Sequence, residues 1–393
     1  GYLNVFGSYT ADIKAGVKYD AFASQSKLLP DGYELPSLSD PIGTKTTYPN
    51  GFYGIHESKQ RTLYQSSFLK YHGLDKHTIS IGYRIAIEET YDVTTITTDR
   101  DSGTGLFDYS QVYPFFNENA KRETYTFSLQ DHYEFNDALS FMYGITIEKT
   151  SLSDAQFDPR ISMVYQTDPQ NIYKASYSSS HRNASWQEMY TVNNLARVGN
   201  PSISPEEVDA FELAYIRKFS SDSYLQADVF FLSNKDQIDK TNTQNEYRNA
   251  VDTDIYGLEL EYKGNITQND RLYLNYSFVN GKDNNDASLS NVAKHLAKGY
   301  YIYDVTPNIS LSGITKYVGE KGRLSYDARS KVDDYLTFDA ALRYENTRNE
   351  YAVTLSIKNM FDSEVIFPSE PMTYVGDYPQ EGRTGMIIFT KAF

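Results

Sequence analysis

The feature that most constrains this chain is a two-residue alternation of apolar and polar side chains along almost its whole length. In 138–149, 255–263 and 350–358, for example, every second residue is apolar. This spacing indicates β-strands with one apolar face, because successive side chains of a strand point to opposite sides of the sheet. No long segment has a convincing helical spacing. The sequence therefore predicts an all-β protein.

The connections between the predicted strands alternate between tight turns and long loops. About seventeen strands are predicted, near 1–9, 11–22, 59–71, 76–91, 121–134, 138–150, 157–168, 170–180, 206–219, 222–233, 245–264, 269–281, 293–304, 306–318, 333–345, 349–359 and 383–393. This alternation is typical of an outer-membrane barrel, which has short periplasmic turns and long outer loops. We therefore predict a transmembrane antiparallel β-barrel. A soluble all-β binding protein is the alternative, although a sandwich or propeller has no reason to keep its long loops on one rim.

Composition agrees with a barrel and excludes several other classes of protein. The 393 residues include 36 Tyr, 21 Phe and no Cys, and the formal net charge is -15. Tyr collects at the two interfaces between lipid and water in such barrels. The lack of Cys excludes disulfides and thiolate chemistry, and the acidic balance argues against nucleic-acid binding. No apolar stretch approaches the roughly 20 residues of a membrane-spanning helix.

The sequence contains no pattern typical of an enzyme or of a metal centre. Its six His residues show no H-E-x-x-H motif and no close metal-ligand spacing. There is also no G-x-S-x-G nucleophile motif and no phosphate-binding glycine loop. His72 and His77 flank a predicted tight turn and are expected at the periplasmic rim. We predict no catalytic residue, no bound metal and no cofactor.

Candidate ligand-binding residues are concentrated in one predicted outer loop, 181–204. Aromatic rings and planar cations suit an anionic, ring-containing iron chelate, which they can bind by stacking and by bidentate hydrogen bonds. In the alternative interpretation, the only Trp anchors the barrel at the membrane interface and the first Arg pairs with a lumen carboxylate. The candidates are His181, Arg182, Trp186, Tyr190, Asn193, Asn194 and Arg197.

Four motifs in the chain resemble those of the TonB-dependent outer-membrane receptors. Residues 199–206 read G-N-P-S-I-S-P-E, which is similar to the family's G-N-P-x-L-x-P-E, and 176–185 resembles its aromatic-Arg-x-Pro-Ser segment, with His181 and Ala184 in place of Phe and Pro. Residues 359–362, N-M-F-D, resemble the family's N-L-F-D, and a G-R pair opens a last strand that ends in an aromatic residue. The motif residues are Gly199, Asn200, Pro201, Pro205, Glu206, Asn359, Phe361, Asp362, Gly382, Arg383 and the terminal Phe393.

The resemblance implies a receptor of the bacterial outer membrane that takes up a scarce nutrient, most readily a ferric siderophore. Such receptors have a barrel of 22 strands around a plug, and the plug contacts the energy transducer of the inner membrane. About seventeen strands and no plug-like segment are found in this sequence, so we expect 1–393 to be the C-terminal part of a longer receptor.

The resemblance also implies the partners of the protein. These are outer-membrane lipid, a ferric-chelate ligand, the transducer through the missing plug, and the assembly machinery that reads Phe393. Two alternatives stay open, a passive porin-like channel and a haem or cobalamin receptor of the same family. Haem is the less favoured ligand, because no His lies between Arg182 and Pro201.

Overall fold

A computed structural model of the chain describes residues 2–37, 39, 44–194, 197–240, 245–324, 327–346, 348, 350–369 and 376–391. Its strands are β1 Tyr2–Phe6, β2 Tyr9–Leu29, β3 Tyr33–Pro36, β4 Lys45–Tyr48, β5 Phe52–Tyr71, β6 His77–Thr98, β7 Leu106–Asp108, β8 Lys121–Asn136, β9 Leu139–Thr150, β10 Gln156–Asp168, β11 Asn171–Arg182, β12 Glu206–Lys218, β13 Tyr224–Lys240, β14 Tyr247–Gly264, β15 Asp270–Asp283, β16 His295–Thr306, β17 Ile309–Val318, β18 Tyr335–Asn346, β19 Tyr351–Lys358, β20 Ile366–Phe367, β21 Tyr378–Pro379 and β22 Thr384–Lys391. One short helix, α1, spans Trp186–Tyr190. No helix in the described ranges is long and apolar enough to cross a membrane.

The main sheet has 18 strands, and every pairing in it is antiparallel. One of the 18, β7, is a three-residue strand at the outer end of β6, which leaves seventeen strands that follow one another in chain order. This confirms the predicted antiparallel sheet of about seventeen strands. Within the described residues, β1 pairs only with β2 and β22 only with β19, while β3–β4 and β20–β21 form two separate small hairpins.

The strand register gives the sheet two unlike faces. On one face apolar side chains lie opposite each other across neighbouring strands, as Phe211 of β12 does with Phe231 of β13, and both remain exposed. On the other face Glu261 of β14 accepts hydrogen bonds from Tyr224 and, at 2.8 Å, from Tyr273. An apolar outer face and a polar inner face are what a barrel wall between lipid and a polar lumen requires.

The two rims of the sheet also differ. Connections of two to five residues at 7–8, 72–76, 137–138, 169–170, 219–223, 265–269 and 307–308 lie at one rim, which we call the periplasmic rim. The connections at the opposite, outer rim are longer, apart from the five-residue connection 151–155. Stacked aromatic pairs lie next to the short turns: the ring centroids are 4.6 Å apart for Tyr9 and Tyr71, and 4.5 Å apart for His77 and Tyr133. These rings form part of an aromatic girdle at the periplasmic rim.

Several strands extend farther at the outer rim than the sequence predicts. β2 ends at Leu29 rather than near 22, and β5 begins at Phe52 rather than near 59. A strand of about 9–11 residues is enough to cross the bilayer, so the outer ends of these strands stand clear of the lipid. Both of their faces can then be polar, as in Ser24-Gln25-Ser26-Lys27, and the apolar alternation that marks a strand disappears.

Two outer connections near the C-terminus, 319–334 and 359–383, are joined by a cluster of two arginines and two aspartates, which we call the latch. Arg323 donates a hydrogen bond to Asp377 at 2.9 Å, and Arg329 donates one to Asp327 at 2.7 Å. The hydrogen bond from Arg323 lowers the pKa of the Asp377 carboxyl to about 2. The latch therefore holds the two connections together through charged pairs that are largely shielded from solvent.

Candidate functional site

Two outer connections meet over the inner face of β2, β5 and β6. We call them the Phe115 loop, residues 99–120, and the Trp186 loop, residues 183–205. The backbone NH of Val192 donates to the carbonyl of Phe115 at 2.8 Å, and Phe116 and Thr191 form an antiparallel bridge. Because backbone hydrogen bonds join the loops directly, they form one layer over this part of the sheet.

Helix α1 opens the Trp186 loop and is fixed by a capping box. Ser185 is the N-cap: its hydroxyl accepts from the NH of Glu188, and the Glu188 carboxylate accepts from the NH of Ser185 at 2.7 Å. Burial alone would raise the pKa of Glu188, but hydrogen bonds from Arg182 and Ser185 outweigh it and lower the pKa below its usual value. Glu188 is therefore an ionised carboxylate that binds the start of the helix.

Arg182 joins α1 to the sheet. Its guanidinium donates two hydrogen bonds to Glu188, at 2.9 and 3.1 Å, and two to Glu206 of β12, both at 2.7 Å. Glu206 also accepts from the NH of Ile238 at 2.6 Å. Both carboxylates are mostly buried, with side chains 14% and 18% exposed. The sequence-based alternative paired Arg182 with a lumen carboxylate. In the structure Arg182 does pair with carboxylates, but one of the two, Glu188, belongs to α1 and not to the barrel wall.

His181 also lies in an ion-pair cluster. Its ring nitrogens are 2.9 Å from a carboxylate oxygen of Asp158 and 3.2 Å from one of Glu148, and only 8% of the side chain is exposed. Asn183 donates to the same Glu148 at 2.7 Å. With a carboxylate at each ring nitrogen, the imidazole is held by the sheet and does not line the cavity described next.

A cavity of about 540 Å³ lies between the two loops and the inner faces of β2, β5 and β6. Its floor is polar and its roof aromatic, and its volume is within the roughly 300–1,000 Å³ of small-molecule sites. The lining residues are Asp20, Ala21, Phe22, Ser24, Ser26, Leu28, His56, Ser58, Gln60, Thr90, Phe115, Phe116, Trp186, Gln187, Thr191, Asn194 and Arg197. Of the seven candidate residues from the sequence, the structure places Trp186, Asn194 and Arg197 here.

A second, much smaller cavity of about 30 Å³ adjoins the first and shares Leu28, His56 and Asn194 with it. Asn193 lines this small cavity, and its side-chain amide donates to the carbonyl of Pro114 at 2.7 Å. Tyr190 instead packs behind the aromatic roof, with its ring centroid 5.5 Å from that of Trp186. The candidate residues are therefore divided between the cavities, the packing behind them and the ion pairs that hold α1.

Sequence reasoning missed the residues that complete the cavity. Phe115 and Phe116 come from a different loop, and Asp20, His56 and Gln60 come from strands far earlier in the chain. No motif marks them. The one available indication is the polar alternation of Asp20, Ser24 and Ser26, which continues past the membrane-spanning part of β2.

The first family motif packs against α1. A Cβ on Gly199 would lie 2.7 Å from the carbonyl carbon of Met189 and from the nitrogen of Thr191, so only glycine fits without a shift. The NH of Asn200 donates to the carbonyl of Glu188 at 2.8 Å. Pro201 and Pro205 follow at the outer start of β12 and line a separate open groove. The motif thus closes the Trp186 loop back onto its own helix.

The two C-terminal motifs contact each other. Asp362 accepts a hydrogen bond from the NH of Arg383 at 2.7 Å, and a Cβ on Gly382 would lie 2.6 Å from the same carboxylate. Asn359 bonds both the NH and the carbonyl of Ser363, while the Phe361 side chain is exposed. Phe393, the predicted insertion signal, lies outside the described residues. Among those residues no cluster of three or more His, Asp or Glu side chains could hold a metal ion.

An antiparallel barrel wall with a loop-covered cavity near its outer rim is the architecture of an outer-membrane receptor. A family model described as TonB dependent receptor-like, beta-barrel, matches residues 3–360. The chain therefore belongs to the TonB-dependent receptor family, whose members are outer-membrane transport receptors and not enzymes.

Individual relatives are more distant. The chain is 23% identical over 290 residues to the metal-pseudopaline receptor CntO of Pseudomonas aeruginosa, covering 65% of this chain and 39% of that protein. It is 24% identical over 217 residues to the vitamin B12 transporter BtuB of Vibrio cholerae, covering 53% and 34% of the two chains. The solved siderophore receptor PirA of Acinetobacter baumannii has the same fold, with a TM-score of 0.72 at 14% identity, covering all of this chain and 61% of that one.

Proposed function

We propose that this chain forms the barrel wall and outer ligand site of a receptor that takes up a metal chelate, most readily a ferric siderophore. The observation that carries the proposal is the cavity of about 540 Å³, with the only Trp of the chain in its roof and Arg197 in its lining. An aromatic surface beside a planar cation suits an anionic chelate that carries rings. The two joined loops also argue against a passive channel, because they cover the polar inner face at β2, β5 and β6.

The relatives support this ligand class in a general way. CntO is named as a receptor for a metal complex and PirA as a siderophore receptor. BtuB is named as a vitamin B12 transporter, so cobalamin is the second candidate ligand. The chain spans 39% and 34% of the length of CntO and BtuB. For the whole receptor, we propose energy-dependent uptake through a plug that contacts the inner-membrane transducer.

The proposal is tested by titration calorimetry of the protein in detergent. The probes are the Ga(III) complexes of 2,3-dihydroxybenzoate, citrate and desferrioxamine, together with cyanocobalamin and maltotriose. We expect saturable binding of at least one Ga(III) complex, weakened at least tenfold by Arg197→Ala and unchanged by Arg271→Ala at the periplasmic rim. Saturation by cyanocobalamin alone would replace our ligand class with the second candidate. If no probe saturates, the receptor proposal is wrong.

A further inference from the structure

The second cavity, which we call the small cavity, lies where three parts of the chain meet. His56 belongs to β5, Arg100 lies at the start of the Phe115 loop, and Asn193 and Asn194 belong to the Trp186 loop. The small cavity has a volume of about 30 Å³, and a single water molecule needs about 10–15 Å³. Because small-molecule sites have roughly 300–1,000 Å³, the small cavity is too small for a chelate but has room for a monatomic ion.

Arg100 brings a positive charge to the small cavity. Its guanidinium forms no salt bridge with any residue in the described part of the chain. The two neighbouring carboxylates are engaged elsewhere: Asp99 accepts from the NH of Ser102 at 2.7 Å, and Asp101 accepts from the hydroxyl of Ser37. A cation that is shielded from water without a counter-ion costs free energy, so the charge of Arg100 points to an anion.

Two buried nitrogen atoms that belong to residues of this lining have no hydrogen-bond partner within the described residues. They are Nε of Arg100 and Nδ1 of His56, and His56 is only 8% exposed. Other lining groups do have partners, since the Tyr109 hydroxyl accepts from the NH of Arg100 at 2.9 Å and the Asn193 amide donates to the carbonyl of Pro114 at 2.7 Å. Unsatisfied buried donors indicate that something else accepts from them.

The positive charge of the lining comes from Arg100 and not from His56. Burial lowers the pKa of the His56 imidazole, so the ring is neutral at pH 7. A neutral imidazole with its proton on Nδ1 is still a donor. Water molecules in the small cavity would satisfy both donors, but they would leave the charge of Arg100 without a counter-ion.

We propose that the small cavity binds a small inorganic anion of the size of chloride, and that this anion holds the Phe115 loop to the Trp186 loop. Arg100 neutralises the anion, His56 donates to it from the floor, and Asn193 and Asn194 close the site from the other loop. The cover over the large cavity then depends on the concentration of the anion. This inference does not depend on which nutrient the receptor takes up.

The test is hydrogen exchange of the protein in detergent, in about 100 mM sodium chloride and in the same concentration of sodium gluconate. The two salts have equal ionic strength, but gluconate is too large for the small cavity. The reporters are the backbone bonds between the loops, from the NH of Val192 to the carbonyl of Phe115 and from the NH of Asn117 to the carbonyl of Tyr190. An ion that binds only the joined loops raises their protection. We expect chloride and bromide to raise it at least fivefold over gluconate, in a saturable manner, with β9 unchanged.

Arg100→Gln keeps a long polar side chain but removes the charge, so protection of the loops should then be equal in chloride and gluconate. Arg271→Gln is the matched control, because the Arg271 guanidinium at the periplasmic rim is already paired with Asp304 at 3.0 Å. This control variant should keep the full response to chloride.

Equal protection of the parent protein in chloride and gluconate would mean that water fills the small cavity, and the proposal would be wrong. It would also be wrong if Arg100→Gln kept the response to chloride, because the ion would then bind elsewhere. If the loops of Arg100→Gln are unprotected in both salts, chloride NMR decides: the protein should broaden the chloride line, and both bromide and His56→Phe should reverse the broadening. A line that His56→Phe leaves unchanged would refute the site. No chelate is used, so these outcomes are separate from those of the proposed function.

Discussion

Replacing Arg182 with Ala should loosen helix α1 without unfolding the barrel. The guanidinium makes four hydrogen bonds to Glu188 and Glu206, whose side chains are 14% and 18% exposed, but Arg182 itself is 47% exposed. Exposed ion pairs contribute about 0.2–1 kcal/mol, and hydrogen bonds to charged groups contribute about 1.5–3 kcal/mol. We take about 1 kcal/mol for each bidentate pair, because one partner of each is half exposed. The free energy of opening α1 should then fall by about 2 kcal/mol.

This change is measurable by hydrogen exchange. A loss of about 2 kcal/mol corresponds to roughly 30-fold lower protection, and it should appear in peptides covering 185–199, where the NH of Met189 and Gly199 are hydrogen-bonded to α1 and its flanks. Arg271→Ala is the control, because Arg271 also binds one carboxylate with two hydrogen bonds, but both partners are exposed. If 185–199 is equally protected from exchange in the Arg182 variant, the Arg271 variant and the parent, Arg182 does not hold helix α1 in place.

Two further predictions concern the outer connections. Phe116 and Thr191 face each other in an isolated antiparallel bridge, and so do Lys282 and Ser288. A disulfide between Phe116→Cys and Thr191→Cys should slow Ga(III)-chelate association at least tenfold until the disulfide is reduced. The matched disulfide between Lys282→Cys and Ser288→Cys should not slow it. The latch lowers the pKa of Asp377 to about 2, below the roughly 3.9 of an unfolded Asp. The ionised Asp377 carboxylate therefore contributes fully to the stability of the folded latch above about pH 4, and this contribution is lost as the pH falls toward 2. Relative to its cleavage elsewhere in the chain, pepsin should cut the latched connections faster at pH 2 than at pH 4. In Asp377→Asn, these relative cleavage rates should be the same at the two pH values.

The strands could be predicted from the sequence because the bilayer imposes a two-residue alternation wherever a strand crosses it. β9, predicted at 138–150 and found at Leu139–Thr150, shows how closely that constraint fixes a strand. The constraint ends where the lipid ends. The outer part of β2 carries polar residues on both faces, and that of β5, F-Y-G-I-H-E-S at 52–58, has no regular alternation. Their extra length was therefore missed, as were the small hairpins β3–β4 and β20–β21.

The cavity was harder to predict, for a different physical reason. Its ring residues are brought together by backbone pairing between two loops, and Phe115 and Trp186 are 71 positions apart in the chain. Local composition could mark the Trp186 loop as rich in aromatic and cationic residues. It could not show that His181 and Arg182 form ion pairs within the protein, because their partners Glu148, Asp158 and Glu206 come from three other strands.

The N-cap Ser185 divides the candidate residues by role. His181 and Arg182 precede it at the end of β11, and both bind carboxylates of the sheet. Arg182 also binds Glu188 of α1 and so fixes where the helix lies. Of the five candidates that follow it, Trp186, Asn194 and Arg197 line the large cavity, Asn193 lines the small one and Tyr190 packs against Trp186. Changes before the cap should therefore alter the position of α1 and weaken every ligand by a similar factor. Changes at the cavity-lining residues after it remove a particular ring or charge, so they should change the ranking of ligands by affinity. The ratio of the affinities for the Ga(III) complexes of 2,3-dihydroxybenzoate and citrate therefore distinguishes the two roles.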